Sequence, residues 1–428
     1  MSWLLRHRLR RFVKYSFWLF PSLAIIAAWL YGRVIPYYVP DVDLRIIEEN
    51  NVEGARAVIG ALAASMMTFV VYAVSALLLA VQLASGQITP RLIALTFGRS
   101  SMKACTSAFV FAFGLSVIAL GNISSPVRSN LLLLSAVLAN MGSSIVFFWF
   151  VQVVGTSLRP VAVLQYLFDA GKRAMDSVYD GPFDADAKPA EPLPPPSSGR
   201  TVVRRGSSGS FLAFGQRDLV AAAARAGCVI EIVPQVGDFV SVGDPVARIY
   251  PPTAAIGEAL INDTMAFGAE RTMEQDPMFA LRIMVDIGAR ALSPAINDPT
   301  TAVLALDQIH RLLRYAGFMN TDTGRVHDGA GNLRLVYPTP NWEDIVDLAL
   351  VELRQYGSTS IQVTRRMKAL LEHLIDRLPT ERAGALRREL VALENGAARA
   401  FIETEDRRRA SFGDFQGLGG AAARTDEL

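Results

Sequence analysis

Only two cysteines, Cys105 and Cys228, occur in 428 residues, and their contexts are unrelated, so neither a disulfide framework nor a zinc quartet can be built from them. Both are expected to pack as small apolar side chains. Charge is scarce too: 19% of residues are Asp, Glu, Lys or Arg, below the usual quarter, while 51% are apolar. With a mean hydropathy of +0.29, that balance belongs to a membrane protein. The net charge of +2 gives no reason to expect a nucleic-acid partner. No GxxxxGK phosphate loop, GxSxG nucleophile elbow or GxGxxG after a strand is present. The four histidines, His7, His310, His327 and His373, show no metal-ligand spacing. Asp307 lies three residues before His310, but no nucleophile stands beside them, so a satisfied surface pair is the expectation. Enzyme activity, a bound metal and a cofactor are therefore not expected.

What is present is long apolar sequence. Four segments, about 15–32, 57–84, 104–120 and 131–158, approach or exceed the roughly twenty residues that a bilayer crossing needs. The first follows "RHRLRRFVK" and has no small-residue cleavage site behind a short apolar region, which predicts a retained signal anchor. Lys and Arg fall in the N-terminal arm (Arg6, Arg8, Arg10, Arg11, Lys14), in the second loop (Arg91, Arg99, Lys103) and after the fourth span (Arg159, Lys172, Arg173). That distribution places these segments, and both termini, on the cytoplasmic side.

None of the four core segments contains Asp, Glu, Lys, Arg or His, which disfavours proton-coupled transport, since such relays use those residues. The second segment carries Gly60, Ala64, Ser65, Thr68 and Ser75, and the fourth carries Asn140, Gly142, Ser143 and Ser144. Two readings fit them: close helix packing, or the uncharged polar lining of a pore in an oligomer. Sequence leaves both open, with packing the commoner outcome.

After the last span, Val161, Leu164, Leu167 and Phe168 recur on one helical face, predicting a juxtamembrane helix packed on membrane or protein. "DGPFDADAKPAEPLPPPSSGR" is too poor in large apolar residues to bury a core and reads as a linker. Residues 201–252 predict a small β unit with tight turns at Gly237 and Gly243. Its "VGDFVSVGDPVARI" is similar to part of the half barrel of biotinyl and lipoyl carriers, but no lysine occurs between Lys188 and Lys368. Carrier chemistry is thereby excluded.

Asp276–Pro277 and Asp298–Pro299 each combine a capping side chain with a first-turn proline, and Pro294 forbids easy continuation of the first helix. "ALSPAINDPTTAV" is thus the turn of a helical hairpin, in which Asn297 has no capping duty to explain it. Arg282, Asp286 and Arg290 form an i, i+4 ladder on the first helix. The ladder either wets the helix exterior or offers guanidinium forks to a small anionic ligand or a partner carboxylate. Arg282, Asp286, Arg290 and Asn297 are the candidate binding residues.

A β-hairpin around "DGAGN" and three further helices complete a helical domain, and the chain from Glu403 reads as a disordered tail. The order of four spans, "VGDFVSVGDP", "QDPMFALRIMVDIGARALSPAINDPTTAVLALDQI" and "DLALVELRQYGSTS" resembles the bacterial predicted membrane proteins catalogued as domain of unknown function 2254, over about residues 10–400. The resemblance implies a bacterial inner-membrane protein and supplies no activity or catalytic residue.

The expected fold is an α-helical membrane protein: four transmembrane helices, then a cytoplasmic α+β region. Its parts are a membrane domain over 1–158, a juxtamembrane helix and Pro-rich linker over 159–200, the β unit over 201–252, a helical domain over 253–402 with a hairpin insertion near 324–337, and a tail over 403–428. The expected partners are the lipid bilayer and further copies of the chain. A channel- or transport-like oligomer gated by its cytoplasmic domain is the leading reading, because four spans exceed what an anchor needs. The alternative is a membrane-anchored ligand-sensing or scaffolding module without transport.

Overall fold

The computed structural model describes residues 3–38, 52–87, 100–122, 126–157, 159–179, 181–186, 193–321 and 324–419. The loop charges Arg91 and Arg99, most of the acidic first loop, part of the linker and residues 420–428 lie outside the described residues. The chain forms two compact units, one of residues 9–159 and one of residues 1–8 with 160–428.

The first unit is helical: α1 (Trp3–Tyr15, which begins in the other unit), α2 (Leu19–Tyr38), α3 (Val52–Gln87), α4 (Ser100–Gly121) and α5 (Pro126–Ser157). Three helical stretches, Val52–Gln82, Ser100–Gly121 and Asn130–Thr156, are long and apolar enough to cross a membrane. The first expected span is different. The chain bends by 80° between α1 and α2, so a fourth crossing exists only if that bent pair counts as one. Pro21 accounts for the break, because it has no N–H to give the Phe17 carbonyl and its ring would clash there. As the third residue of α2 it sits where a missing N–H costs nothing.

The bend leaves the last carbonyls of α1 without helical partners. Lys103, 4% exposed near the start of α4, donates its Nζ to Val13 O at 3.0 Å and to Lys14 O at 2.5 Å. A charged residue therefore does lie within a candidate span, one position before the apolar core read from sequence.

α4 packs against α2, α3 and α5. Small residues set the spacing: an added Cβ at Gly114 would lie 3.2 Å from Ala28 Cβ, and one at Gly32 would meet Ile118 Cγ2 at 2.5 Å. Aromatic packing of Phe69, Phe109, Phe147 and Phe150 fills the other end of this core.

In the second unit, α6 (Pro160–Val178) buries Leu164 and Leu167, while Val161 is exposed. It packs on protein, against the helical hairpin, where Gly171 lies close to Ala280 and Leu312. The strands are β1 (Arg200–Val203), β2 (Gly209–Phe214), β3 (Val229–Ile232), β4 (Phe239–Val240), β5 (Pro245–Tyr250), β6 (Met265–Gly268), β7 (Arg325–His327) and β8 (Leu333–Val336). Short helices α7 (Gln216–Ala226) and α8 (Glu258–Asp263) lie between them.

The strands form a five-stranded sheet, β1-β5-β3-β8-β7, and a three-stranded sheet, β4-β2-β6. The expected half barrel over 201–252 is thereby corrected. No closed barrel forms among the described residues, and the segment is not self-contained. β2 takes a partner from 265–268, and β3 pairs in parallel with β8 from the hairpin insertion, because both sheet edges carry backbone groups that need partners. The sheets share a core that includes Phe211, Phe214, Ile230, Ile249 and Leu335.

The remaining helices are α9 (Pro277–Ala291), α10 (Pro299–Gly317), α11 (Trp342–Tyr356), α12 (Ile361–Arg377), α13 (Ala383–Ala400) and α14 (Thr404–Ala410). The expected disordered tail is also corrected: residues 404–410 are helical and 411–419 fold onto α12. Asp414 makes this possible. It is 8% exposed, and its carboxylate accepts from the amides of Gln416, Gly417 and Gly419 at 2.8–3.1 Å. A glycine-rich polar sequence thus satisfies its own backbone.

Candidate functional site

Both hairpin starts form as their sequences dictate. The Asp276 carboxylate accepts from Phe279 N at 3.0 Å, and that of Asp298 from Thr301 N at 3.0 Å, each followed by proline in the first turn. Asp276 is 2% exposed and also receives Arg271 Nε at 3.0 Å; burial nevertheless pushes its carboxyl above the usual carboxylate range. α9 stops at Ala291 ahead of Pro294, and the chain ties back through Asn297 N to Ser293 O and Asp298 N to Ala291 O, both 2.8 Å. Asn297 has a φ of +49°, the single non-glycine residue in the left-handed region among the described residues. Asn tolerates that conformation better than most side chains. Its duty in the hairpin is backbone geometry.

Within the ladder, the Arg282 guanidinium is engaged by carboxylates of the same unit. Arg282 donates Nε to Asp286 at 2.7 Å and straddles Glu352 of α11, with one arm at 2.5 Å and the other at 2.7 Å. The bond to Glu352 is the first cause raising the Arg282 pKa, and the same bond lowers that of Glu352. This fork joins α9 to α11 and takes up the guanidinium that the functional reading offered to a ligand. Arg290 is half-buried near the end of α9.

A second polar centre joins α10 and α12. Arg366, 5% exposed, donates Nε to Asp307 Oδ1 at 2.7 Å and an amino group to His310 Nδ1 at 3.0 Å. His310 Nε2 lies 2.8 Å from His373 Nδ1. Guanidinium can only donate, so His310 must accept at Nδ1, carry its proton on Nε2 and donate to His373. Adding a second proton to His310 would aim an N–H at the arginine. Burial first, then Arg366, His373 and Arg314, pushes the His310 pKa down to about 3. Burial and Arg314 lower that of His373 as well, and Phe415 of the folded tail stands edge-on to its ring.

Sequence reasoning set Asp307 and His310 aside as a surface pair and missed Arg366 and His373. A signal existed: Arg366 falls on the buried helical face of α12 with Val363 and Leu370, and His373 follows seven residues later. Among the described residues no cluster of three or more His, Cys, Asp or Glu side chains is arranged to hold a metal ion.

In the helical unit the two readings of the polar span residues separate by helix. On α5, Asn140 is 2% exposed and donates Nδ2 to Ser116 Oγ at 2.8 Å, and Ser143 donates to Ala108 O at 3.3 Å. These are bonds between packed helices. The outward face of α5 is apolar, with Leu138, Met141, Ile145 and Phe148 all more than half exposed, and Gly142 lies among them. α3 also exposes apolar side chains, Val58, Met67, Val71, Leu78 and Leu79, but hydroxyls stand among them. Ile59, Met66, Ala73 and Leu77 are buried, while Ser65, Thr68, Tyr72 and Ser75 are exposed at helical spacing on the side roughly opposite. Ala64 flanks that stripe and Gly60 lies a turn before it. Ser65 and Thr68 donate to the carbonyls of Ala61 and Ala64, at 2.8 and 3.0 Å, which keeps them bonded without an external partner.

The family model described as "predicted membrane protein", domain of unknown function 2254, matches residues 14–373. The chain belongs to this family. Uncharacterised proteins of Mycobacterium bovis and Mycobacterium tuberculosis are each 24% identical to it over 429 aligned positions, covering 96% of this chain and 80% of theirs. No solved structure matches. In this family member the Asp298–Pro299 motif is a helix restart, and the exposed hydroxyls of Ser65 and Thr68 on α3 bond to carbonyls of their own helix.

Proposed function

We propose that this protein is an oligomeric channel- or transport-like protein of the bacterial inner membrane, with both termini cytoplasmic and its α+β unit controlling the path. The observation that carries the reading is the row of outward hydroxyls Ser65, Thr68, Tyr72 and Ser75 among the exposed apolar residues of α3, where the outward face of α5 shows Leu138, Met141, Ile145 and Phe148. In a bilayer the α5 face suits acyl chains. A row of hydroxyls suits either another copy or water, and a symmetric oligomer supplies both by placing the α3 helices around a shared axis. α2 would then supply the first of four crossings, with the basic α1 arm cytoplasmic and its last carbonyls held at the bend by Lys103.

Cysteine cross-linking tests the arrangement, because the native Cys105 and Cys228 are buried and free. Thr68→Cys is expected to form an intermolecular disulfide in native membranes, and Ile145→Cys is not. Reconstituted wild-type protein is expected to pass small ions, and Thr68→Leu to reduce that flux. A monomer, or cross-linking at Ile145 instead of Thr68, refutes the arrangement. An intact oligomer with no flux of potassium or chloride refutes conduction and leaves the anchored sensing module as the function.

A further inference from the structure

The ligand site expected at the arginine ladder has a better location in the same unit. A cavity of about 340 Å³ opens where the end of α11, the first turn of α12 and the last turns of α13 meet. That volume lies in the range of small-molecule pockets. Its room comes from small residues on α13: Gly396, Ala397 and Ala400 line it, and a Cβ added at Gly396 would meet no atom within 4 Å.

The two charged side chains that line it are both arginines. Arg354 and Arg399 both line the cavity, and none of its lining residues is acidic. Arg354 is held from behind, where its Nε donates to Glu389 Oε2 at 2.8 Å; Glu389 is itself 8% exposed. That bond fixes the guanidinium plane. Arg399 is exposed and makes no ion pair with another described residue. Ser358 and Thr364 bracket the N-cap of the 17-residue α12, and their hydroxyls line the cavity. Leu393 and Ala397 supply an apolar wall.

We infer that this cavity is a binding site for a small organic anion, its phosphate or carboxylate group held between Arg354 and Arg399 and its compact apolar body against α13. The inference is independent of conduction, since the site lies wholly within the α+β unit. Arg282 is sealed by Glu352 and Asp286, whereas Arg399 has its fork available.

The test is calorimetric titration of detergent-solubilised full-length protein with inorganic phosphate and, separately, with pyruvate, at constant ionic strength. Saturable binding of at least one probe is expected, and which one binds identifies the anionic group. Arg399→Gln is expected to weaken that binding about tenfold or more. Ala397→Leu is expected to abolish it by filling the cavity. Both variants are expected to melt as the wild type does, because Arg399 is exposed and the leucine enters empty space. Absence of saturable binding by either probe, or unchanged binding in either variant, overturns the assignment.

Discussion

Replacing Asn297 tests whether the "AIND" turn is shaped by backbone geometry or kept for a ligand. The side chain is exposed and φ is +49°, so substitution alters the conformational cost while removing no buried contact. A left-handed backbone costs an L-residue with an ordinary Cβ roughly 1–2 kcal/mol, and Asn recovers part of that through local hydrogen bonding. Asn297→Ala should therefore destabilise the α+β unit by about 1 kcal/mol, and Asn297→Val by about 2 kcal/mol, because β-branching narrows the allowed region further. Asn297→Gly relieves the strain but adds chain entropy of about 0.5–1 kcal/mol to the unfolded state, so the two nearly cancel. The expected order of melting temperatures is Gly close to Asn, then Ala, then Val, with about 2–4 °C for each kcal/mol in a unit of this size. Thermal unfolding of the full-length protein in detergent, followed by circular dichroism, measures it. Equal melting of the Gly and Ala variants would refute the backbone account. So would a Gly variant that melts normally yet loses ion flux or anion binding, since the amide side chain would then have a function of its own.

Asp298→Ala removes the bonds to Thr301 N and Oγ1, at 3.0 and 2.6 Å, and should cost about 0.5–2 kcal/mol in urea denaturation, with anion binding at the α13 cavity unchanged. Arg282→Met breaks a half-exposed fork to Glu352 and should cost about 1–2 kcal/mol, with Arg282→Lys intermediate; a neutral Arg282→Met would show that the fork does not hold α9 to α11. His310 has its pKa pushed down to about 3 from an ordinary 6.5, so the folded state binds fewer protons than the unfolded one between those values. Stability from the neutral pair is fully present above about pH 6.5 and is lost as the pH falls toward 3, and His310→Gln should flatten that acid limb of the melting profile. Identical pH slopes for wild type and His310→Gln would remove the pair from the account.

Where sequence reasoning succeeded, the signal was local. Capping side chain followed by proline, glycine at a turn and apolar spacing along a helix are each decided within about one turn of chain, so the helical hairpin and the turn at Gly237 form as expected. Where it fell short, partners come from far away. β6 and β8 complete sheets begun some fifty to a hundred residues earlier, and no local pattern in 201–252 reports that its edges need them. Arg282 reads as a surface ladder because Glu352, seventy residues on, is invisible from its own helix. The tail reads as disorder because one carboxylate, Asp414, replaces the core that its composition cannot supply.

Polar residues in apolar surroundings show the same limit, and their sorting bears directly on function. Asn140, Ser143, Ser65 and Thr68 are alike in sequence: short polar side chains in segments long enough to span a bilayer. Burial divides them. Asn140 and Ser143 spend their bonds inside the helical packing, so losing them would loosen α4 against α5. Ser65 and Thr68, both exposed, bond to carbonyls of their own helix. In hydrocarbon such hydroxyls gain little by facing outward, while a second copy or a water column gives them interactions that acyl chains cannot. The helix packing of a single chain therefore accounts for Asn140 and Ser143 of α5, whereas Ser65 and Thr68 of α3 are satisfied by their own helix and left exposed.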